Sequence, residues 1–460
     1  MIDLTTPLAI HVVGVGGAGM SAIASVLARM GHRVSGSDLK DSAALRRLEA
    51  QGVIVHVGHA AANVADADLV AVSTAIAATN PEVVAASAAG AIVMRRAEIL
   101  AAIAATRRTL AVSGTHGKTT TSSMLALILL EAGLRPSYIV GGELNETGSG
   151  ASWSDGDLFV VEADESDGTF VELPAAIAVV TNVEADHLDH YGTFAAIERE
   201  FERFLRQAPG PNVVCADEPT AARLGRETGA LLYGTDAAAD YRIVEARTER
   251  AGAEFTLVHE GADLGRIRLP VPGMHNVRNA AAATVAALQV GAPFAACRAA
   301  LARYAGVARR FQFRGTVADP KGGLPITFVD DYAHNPGKVH AVLAAAKGGH
   351  WSRVVCVFQP HRFSRTADLA EAFGTAFGDA DVIVVMDVYA AGEAPRPGVT
   401  GKLIVDSILL HRPWARVAWL PKREDVIAYL RSELRPGDLC LTVGAGDITS
   451  LADDVIAVLA

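Results

Sequence analysis

Cysteine is scarce: the four, Cys215, Cys297, Cys356 and Cys440, lie far apart and never form a Cys-x-x-Cys spacing. This excludes a thiolate zinc site and a disulfide scaffold, and points to reduced core residues of a cytoplasmic protein. Positive charge is also in deficit, with 41 Lys+Arg against 51 Asp+Glu and a net charge of −10. General attraction to nucleic acid or to an anionic membrane is therefore not expected. No apolar run reaches membrane-spanning length without a charge or glycine break, so no membrane insertion is expected. The opening Met1-Ile2-Asp3-Leu4-Thr5-Thr6-Pro7 has no basic stretch of the kind that starts a signal peptide. What remains is ordinary globular material: half the 460 residues are apolar, and the length suggests two to four domains.

One stretch organises the chain. Leu110-Ala-Val112 reads as a buried strand, Gly114-Thr115-His116-Gly117 as a tight turn, and Lys118-Thr119-Thr120-Thr121 as the opening of an apolar helix over 122–132. Glycines let backbone amides approach phosphate oxygens, a helix N-terminus favours anions, the lysine adds a point charge and a threonine hydroxyl suits Mg²⁺. Val112 stands where the full phosphate-loop pattern has glycine, leaving Gly114-x-x-Gly117-Lys118-Thr119.

Upstream, a strand over 10–13 runs into Gly14, Gly16, Gly17 and Gly19, then a helix over 20–30; a second strand ends near Asp38, about 20 residues on, where a ribose hydroxyl is commonly held. Such a turn also occurs for packing alone. Strands over 53–57 and 69–73 follow, the latter ending at Ser73-Thr74. Downstream, a strand over 158–161 empties into Glu162, Asp164, Glu165 and Asp167; four acids beside a phosphate loop point to Mg²⁺. A strand over 176–181 ends in Asn182-Val-Glu-Ala-Asp186-His187, another edge that faces ligand, with a metal or substrate role for His187. Residues 212–272 alternate and read as β-rich. His275, Asn276 and Asn279 then sit at the start of a helix over 280–288, where Asn is also a natural cap. After Arg309-Arg310-Phe311, a strand over 326–329 ends at Asp330-Asp331-Tyr332-Ala333-His334-Asn335-Pro336. Strands over 353–358, 382–386 and 439–443 complete an open parallel α/β sheet.

Taken in order, Gly114-Thr-His-Gly-Lys-Thr-Thr120, Asp164-Glu-Ser-Asp167, Thr181-Asn-Val-Glu-Ala-Asp-His187, His275-Asn-Val-Arg-Asn279, Arg309-Arg-Phe311 and Asp331-Tyr-Ala-His334 resemble the Mur ligases, the ATP-dependent amino-acid ligases of peptidoglycan synthesis. The resemblance covers nearly the whole chain. The opening His11-Val-Val-Gly-Val-Gly-Gly-Ala-Gly-Met-Ser21, His116, and Phe358-Gln-Pro-His-Arg362 with Arg365-Thr366 are similar to the family's alanine-adding branch.

That resemblance implies an α/β protein of three domains: a Rossmann-like UDP-binding domain (1–107), a central P-loop-type ATPase domain with a parallel sheet (108–315) and a C-terminal Rossmann-like amino-acid domain (316–460). Its small-molecule substrates would be ATP, UDP-N-acetylmuramate and L-alanine, joined through an acyl phosphate, with Mg²⁺. The UDP sugar would lie on Gly14, Gly16, Gly17, Gly19, Met20, Ser21, Asp38, Ser73 and Thr74. ATP would take Gly114 to Thr120 with Asn276, Asn279, Arg310 and Asp331. Lys118 would contact the β/γ-phosphates, Thr119 and Glu165 would hold one Mg²⁺, and His187 would sit at a second. His334, His361 and Arg362 would face the amino acid.

The chain departs from the family pattern in two places. No lysine occurs between Lys118 and Lys321, so the carbamylated lysine of several members is absent. An acid such as Glu198, Glu200 or Glu202 would be a substitute, with nothing to choose among them. The branch's second histidine and its Thr-Glu are replaced in His334-Asn335-Pro336-Gly337-Lys338, a form seen in sister ligases that add other amino acids or peptides. A non-catalytic sugar-nucleotide sensor is the alternative of a different class.

Overall fold

A computed structural model of the chain describes residues 2–249, 252–349 and 351–459. The strands form three sheets. Two compact units result: Met1–Ala246 with Glu254–Leu269 and Asn276–Ala305, and Gly306–Ala460 with Arg247–Ala253 and Pro270–His275.

The first sheet holds β1 (Ala9–Val13), β2 (Arg33–Asp38), β3 (Ile54–Val57), β4 (Leu69–Val72) and β5 (Ile92–Arg95), in the order β3-β2-β1-β4-β5. Every pairing is parallel. The strand order reverses beside β1, which places a ligand crevice at its C-terminal end, where the glycine turn leaves the sheet. Helix Ala18–Arg29 covers the sheet with Ile23, Ala24, Val26 and Leu27.

The second sheet comprises β6 (Arg108–Ser113), β7 (Ser137–Leu144), β8 (Ser149–Ser152), β9 (Leu158–Glu162), β10 (Ala175–Val180), β11 (Val213–Cys215), β12 (Leu231–Gly234), β13 (Tyr241–Glu249), β14 (Gly252–His259) and β15 (Ala262–Leu269). Its order is β15-β14-β13-β12-β11-β10-β6-β9-β7-β8. β6 lies between β9 and β10, parallel to both. Both its faces are covered, which is why it reads as a continuous apolar run rather than an alternation. The sheet is not wholly parallel, since β8 turns back antiparallel on β7 at the edge.

The β-rich reading of 212–272 needs a correction, because helix Pro219–Thr228 separates β11 from β12. Its signals are local: Pro219 starts it, the Glu218 carboxylate accepts from the Thr220 and Ala221 amides, and Gly229 ends it in the left-handed region at φ 70°. Helix Met274–Leu288 also begins earlier than expected, so Asn276 and Asn279 lie inside it, buried, and do not cap it.

The third sheet contains β16 (Gln312–Val317), β17 (Ile326–Asp331), β18 (Val354–Phe358), β19 (Val382–Val385), β20 (Val417–Trp419) and β21 (Leu439–Val443), ordered β16-β17-β21-β18-β19-β20. The expectation of a purely parallel sheet fails at one edge, where β16 runs antiparallel to β17. Gln-Phe-Arg-Gly-Thr-Val carries too short an apolar pattern to announce itself. A boundary at residue 316 falls inside this strand. The neighbouring β17, β21, β18 and β19 are parallel, so their C-terminal loops stand side by side.

Among the described residues no helix is long and apolar enough to cross a membrane. The four cysteines are free and buried, and burial pushes each thiol up, away from thiolate reactivity.

Candidate active site

The loop after β6 is shaped by two glycines. Gly114 has φ 135° and Gly117 φ 83°, backbone that favours glycine. A side chain on Gly117 would also strike the Asn279 amide, its Cβ 2.5 Å from Oδ1. Helix Lys118–Glu131 starts immediately, so its first-turn amides face the loop. The β10 edge holds the loop in place: the Asn182 Oδ1 accepts from the His116 amide (2.8 Å), and the His116 carbonyl accepts from Thr181 Oγ1 (2.5 Å) and Asn182 Nδ2 (3.0 Å). The Thr115 hydroxyl accepts from the Glu184 amide at 2.9 Å. The His116 ring turns to Glu184, 3.4 Å away, and that contact lowers the Glu184 carboxyl pKa.

Lys118 donates to the Gly114 carbonyl at 2.8 Å and to Glu165 Oε1 at 2.8 Å, and lies 2.6 Å from Oε2. Burial disfavours its ammonium, but Glu165, Asp164 and Glu162 more than reverse this and raise its pKa. Burial raises the Glu165 carboxyl while Lys118 pulls it down. Thr119 Oγ1 donates to Glu162 Oε1 at 3.0 Å, so its nearest carboxylate is Glu162 and not the expected Glu165. His187, in left-handed backbone at φ 53°, places Nε2 3.7 Å from Glu165 Oε1. Asp167 stands apart: it accepts from the Thr169 amide and hydroxyl and ties the turn.

These donors suit a hard divalent cation. Three carboxylates share the single ammonium of Lys118, and a threonine hydroxyl and an imidazole adjoin. No cluster of three or more His, Cys, Asp or Glu with metal-ligand spacing occurs among the described residues. The candidate bridging acids are engaged elsewhere on helix Phe194–Gln207, Glu198 with Arg223, Glu202 with Arg206 and Glu200 with Arg203.

At the first sheet, Asp38 Oδ2 accepts the Gly16 amide at 2.9 Å, so this acid holds the glycine turn itself. Ser73 lies against Gly14, where an added Cβ would come within 3.1 Å of Ser73 Cβ, and Thr74 is exposed beside it. Gly17 precedes the helix that Gly19 and Ser21 enter. The Met20 side chain packs into the core beneath the helix start.

In the second unit, Asp331 ends β17 with both oxygens engaged, Oδ2 by the Phe311 amide and Oδ1 by the Ala333 amide, each at 2.8 Å. Burial raises its pKa, against the pull of the Arg310 guanidinium. Arg310 lies 5.7 Å over the Tyr332 ring. His334 donates from Nδ1 to the Tyr332 carbonyl (2.8 Å), leaving Nε2 as an open lone pair. Burial lowers its pKa to about 3, and burial with Arg365 lowers that of His361 to about 4, so both rings are neutral near pH 7. The two ring centroids are 5.8 Å apart. Arg362 caps helix Phe363–Asp368 at φ 72°.

Three features escaped the sequence reading. Arg309 stitches the β21 loop to the end of β17, donating to the carbonyls of Gly444 (2.6 Å) and Gly446 (3.2 Å) and lying 3.4 Å from Asp330. Its neighbour Arg310 drew attention because it carried the motif role. A cleft of about 440 Å³ beside Asp217 and Arg278 lies at the ends of β11 and β12. Beneath the first glycine turn, fully buried Glu82 accepts from Ser37 Oγ (2.6 Å), Asn63 Nδ2 (2.6 Å) and His59 Nδ1 (2.9 Å), with His11 at 3.7 Å. No local spacing links these residues, which come from four segments.

A phosphate loop opening a helix, a lysine among carboxylates at adjacent strand ends and a separate Rossmann-like unit define a nucleotide-dependent enzyme of the phosphoryl-transfer type. The chain belongs to the Mur ligase family. Residues 9–108 match the Mur ligase family catalytic domain, 112–287 the Mur ligase middle domain and 309–446 the Mur ligase glutamate ligase domain. The UDP-N-acetylmuramate–L-alanine ligases of Pelotomaculum thermopropionicum and Thermobifida fusca are each 44% identical, the first covering 97% of this chain and 96% of its own length, the second 98% and 96%. The crystal structure of UDP-N-acetylmuramate-alanine ligase from Thermotoga maritima superposes with TM-score 0.80 at 29% identity over 98% of both chains. A murein peptide ligase from Psychrobacter arcticus shares the fold at TM-score 0.70 and 23% identity, over 98% of both chains.

Proposed function

We infer that the chain catalyses the ATP-dependent ligation of L-alanine to the carboxylate of UDP-N-acetylmuramate, in the cytoplasm, as a step of peptidoglycan precursor synthesis. The observation that carries this reading is the Lys118–Glu165 pair under the Gly114–Gly117 loop, in a chain 44% identical over nearly its whole length to alanine-adding ligases. The division of labour follows the three sheets. Residues 1–107 would take the UDP sugar, 108–315 the ATP and 316–460 the amino acid.

A carboxylate is a poor acyl donor. Transfer of the γ-phosphate to it gives an acyl phosphate; the alanine amine then attacks the carbonyl and phosphate leaves. Such transfer is mostly positioning and charge neutralisation. The first-turn amides of Lys118, Thr119 and Thr120 cradle the phosphates, the Thr115 and His116 amides being held by Asn182, and Lys118 moves from the Gly114 carbonyl to the β/γ-oxygens. Mg²⁺ would be held by Thr119, Glu162, Glu165 and His187, and when bound it neutralises phosphate charge. Asn276, Asn279, Arg310 and Asp331 are assigned to the nucleotide. At the first sheet, helix N-terminal amides after Gly17 take the diphosphate, and Asp38 keeps the turn in shape. The Arg362 guanidinium suits the alanine carboxylate by its bidentate fork. The open Nε2 of His334 accepts an N–H of the incoming amine and aims its lone pair.

Phosphate release by the purified chain with Mg²⁺, ATP and UDP-N-acetylmuramate tests this, single amino acids being added in turn. Release that needs both the sugar nucleotide and L-alanine is expected. Release that needs a different amino acid or a peptide would move the chain to a sister specificity.

A further inference from the structure

Four strand ends of the third sheet meet around one side chain that none of the assigned roles uses. Tyr389 follows β19, next to β18, whose loop carries His361 and Arg362. Its amide donates to the Pro360 carbonyl and its carbonyl accepts from the Arg362 amide, both at 2.8 Å. Its ring stacks on His361, centroids 5.7 Å apart and planes 13° apart. On its other flank stands Gly446, after β21: a Cβ there would strike Gln359 Oε1 and lie 2.7 Å from Tyr389 Cγ and 2.9 Å from Tyr389 Cβ.

The backing is rigid. The Gly446 carbonyl accepts from Arg309, and Gln359 Nε2 donates to Asp447 Oδ1 at 2.7 Å. The Glu393 carboxylate, four residues after the ring, accepts from the Ser364 amide at 2.9 Å and so ties the β19 loop to the helix after Arg362. Arg362 itself is held at φ 72°, a conformation that costs a non-glycine residue energy and persists only where the surroundings enforce it. Tyr389 is part of that enforcement, yet 39% of its surface stays open.

We propose that the Tyr389 ring, wedged between His361 and Gly446, is the wall that limits the side chain of the amino acid substrate to a methyl group. A wall discriminates by size only if it cannot yield, and this one is pinned by two backbone hydrogen bonds, a ring stack and a glycine contact. The proposal rests on the reading of His334, His361 and Arg362 as the amino-acid site. The Tyr332, His334 and His361 rings form a chain with centroid spacings of 5.1 and 5.8 Å, and Tyr389 closes its open end.

The test measures kcat/KM for glycine, L-alanine and L-2-aminobutyrate by phosphate release, with ATP, Mg²⁺ and UDP-N-acetylmuramate, in wild type, Y389F, Y389A and G446A. One methylene at a size-limited pocket changes selectivity by about tenfold or more. Y389A is expected to lose about tenfold of the preference for alanine over 2-aminobutyrate, with KM for ATP and the sugar nucleotide unchanged. Y389F keeps the ring and the preference. G446A, whose added methyl crowds both the Gln359 amide and the Tyr389 ring, is expected to displace the ring and lower kcat/KM for alanine relative to glycine, and it carries the test if Y389A does not fold. Selectivity unchanged in both Y389A and G446A overturns the proposal, as does a loss of selectivity in Y389F equal to that in Y389A. A wild type that releases no phosphate with any amino acid overturns the site reading and the proposal with it.

Discussion

Replacing Lys118 by methionine separates what the Lys118–Glu165 pair does for the fold from what it does for catalysis. The two side chains are 11% and 4% exposed, and the ammonium has three carboxylates around it. Removing one partner of a buried pair costs about 3–5 kcal/mol, because the remaining charge stays out of water. At about 2–4 °C per kcal/mol for a domain of this size, the melting temperature should fall by about 10 °C at pH 7.5. The loss carries a pH signature. Burial already raises the Glu165 carboxyl above its ordinary 4.5, and without Lys118 nothing comparable pulls it down. A group whose folded pKa lies above its unfolded one is fully stabilising below the unfolded value and loses that contribution as pH rises through the folded value. The K118M deficit, measured by circular dichroism melts, should therefore be small near pH 4.5 and grow toward neutrality. Adding E165Q should restore most of the melting temperature. It should not restore phosphate release, which falls by about 10²–10³-fold when a preorganised charge at the transferring group is lost. A K118M deficit that is flat with pH, or a double variant as active as wild type, would refute this reasoning.

Three further outcomes follow from particular contacts. D38A removes the acceptor of the Gly16 amide and should raise the KM for UDP-N-acetylmuramate by about tenfold, in keeping with the loss of one charge-assisted hydrogen bond, while KM for ATP stays put. Asn335 caps helix Pro336–Lys347 by accepting from the Lys338 amide at 2.9 Å; N335A should cost about 1 kcal/mol in denaturant unfolding and leave the alanine preference intact. A changed preference would mean that the Asn at this position reads the substrate. Burial favours the neutral form of Glu82, but the nearby His11 ring and hydrogen bonds from Ser37 and Asn63 outweigh it and lower its pKa to about 2. Its stabilisation is present above 4.5 and lost as pH falls toward 2, so wild type should lose stability across that window while E82Q, less stable at pH 7, should show a shallower acid dependence; parallel curves would count against the network.

The parts of the site that lie in one short segment were legible without coordinates. The Gly114–Thr120 loop announces itself because strand, turn and helix N-terminus are contiguous, and the β6 run is apolar throughout because both its faces are covered. The parallel core strands of the third sheet were equally plain, each ending at a polar loop. Helix Pro219–Thr228 was missed although Pro219 and Gly229 mark its ends, since a ten-residue helix between strands leaves little room for its period to show. Asn276 and Asn279, read as nucleotide contacts with capping as the alternative, are buried helix residues, which only packing decides.

What the sequence by itself determined is therefore the apolar core strands that end in polar loops, the phosphate loop and the acids that follow it, because backbone propensity, period and loop chemistry act over a few residues. Tertiary structure alone decided which carboxylate meets which partner: Glu162 with Thr119, Glu165 with Lys118, Asp167 with its own turn. It also decided that Glu82 gathers His11, Ser37, His59 and Asn63, and that Tyr389 stands between His361 and Gly446. Those juxtapositions depend on strand order across a sheet, and sequence separation carries no record of it until the chain has folded.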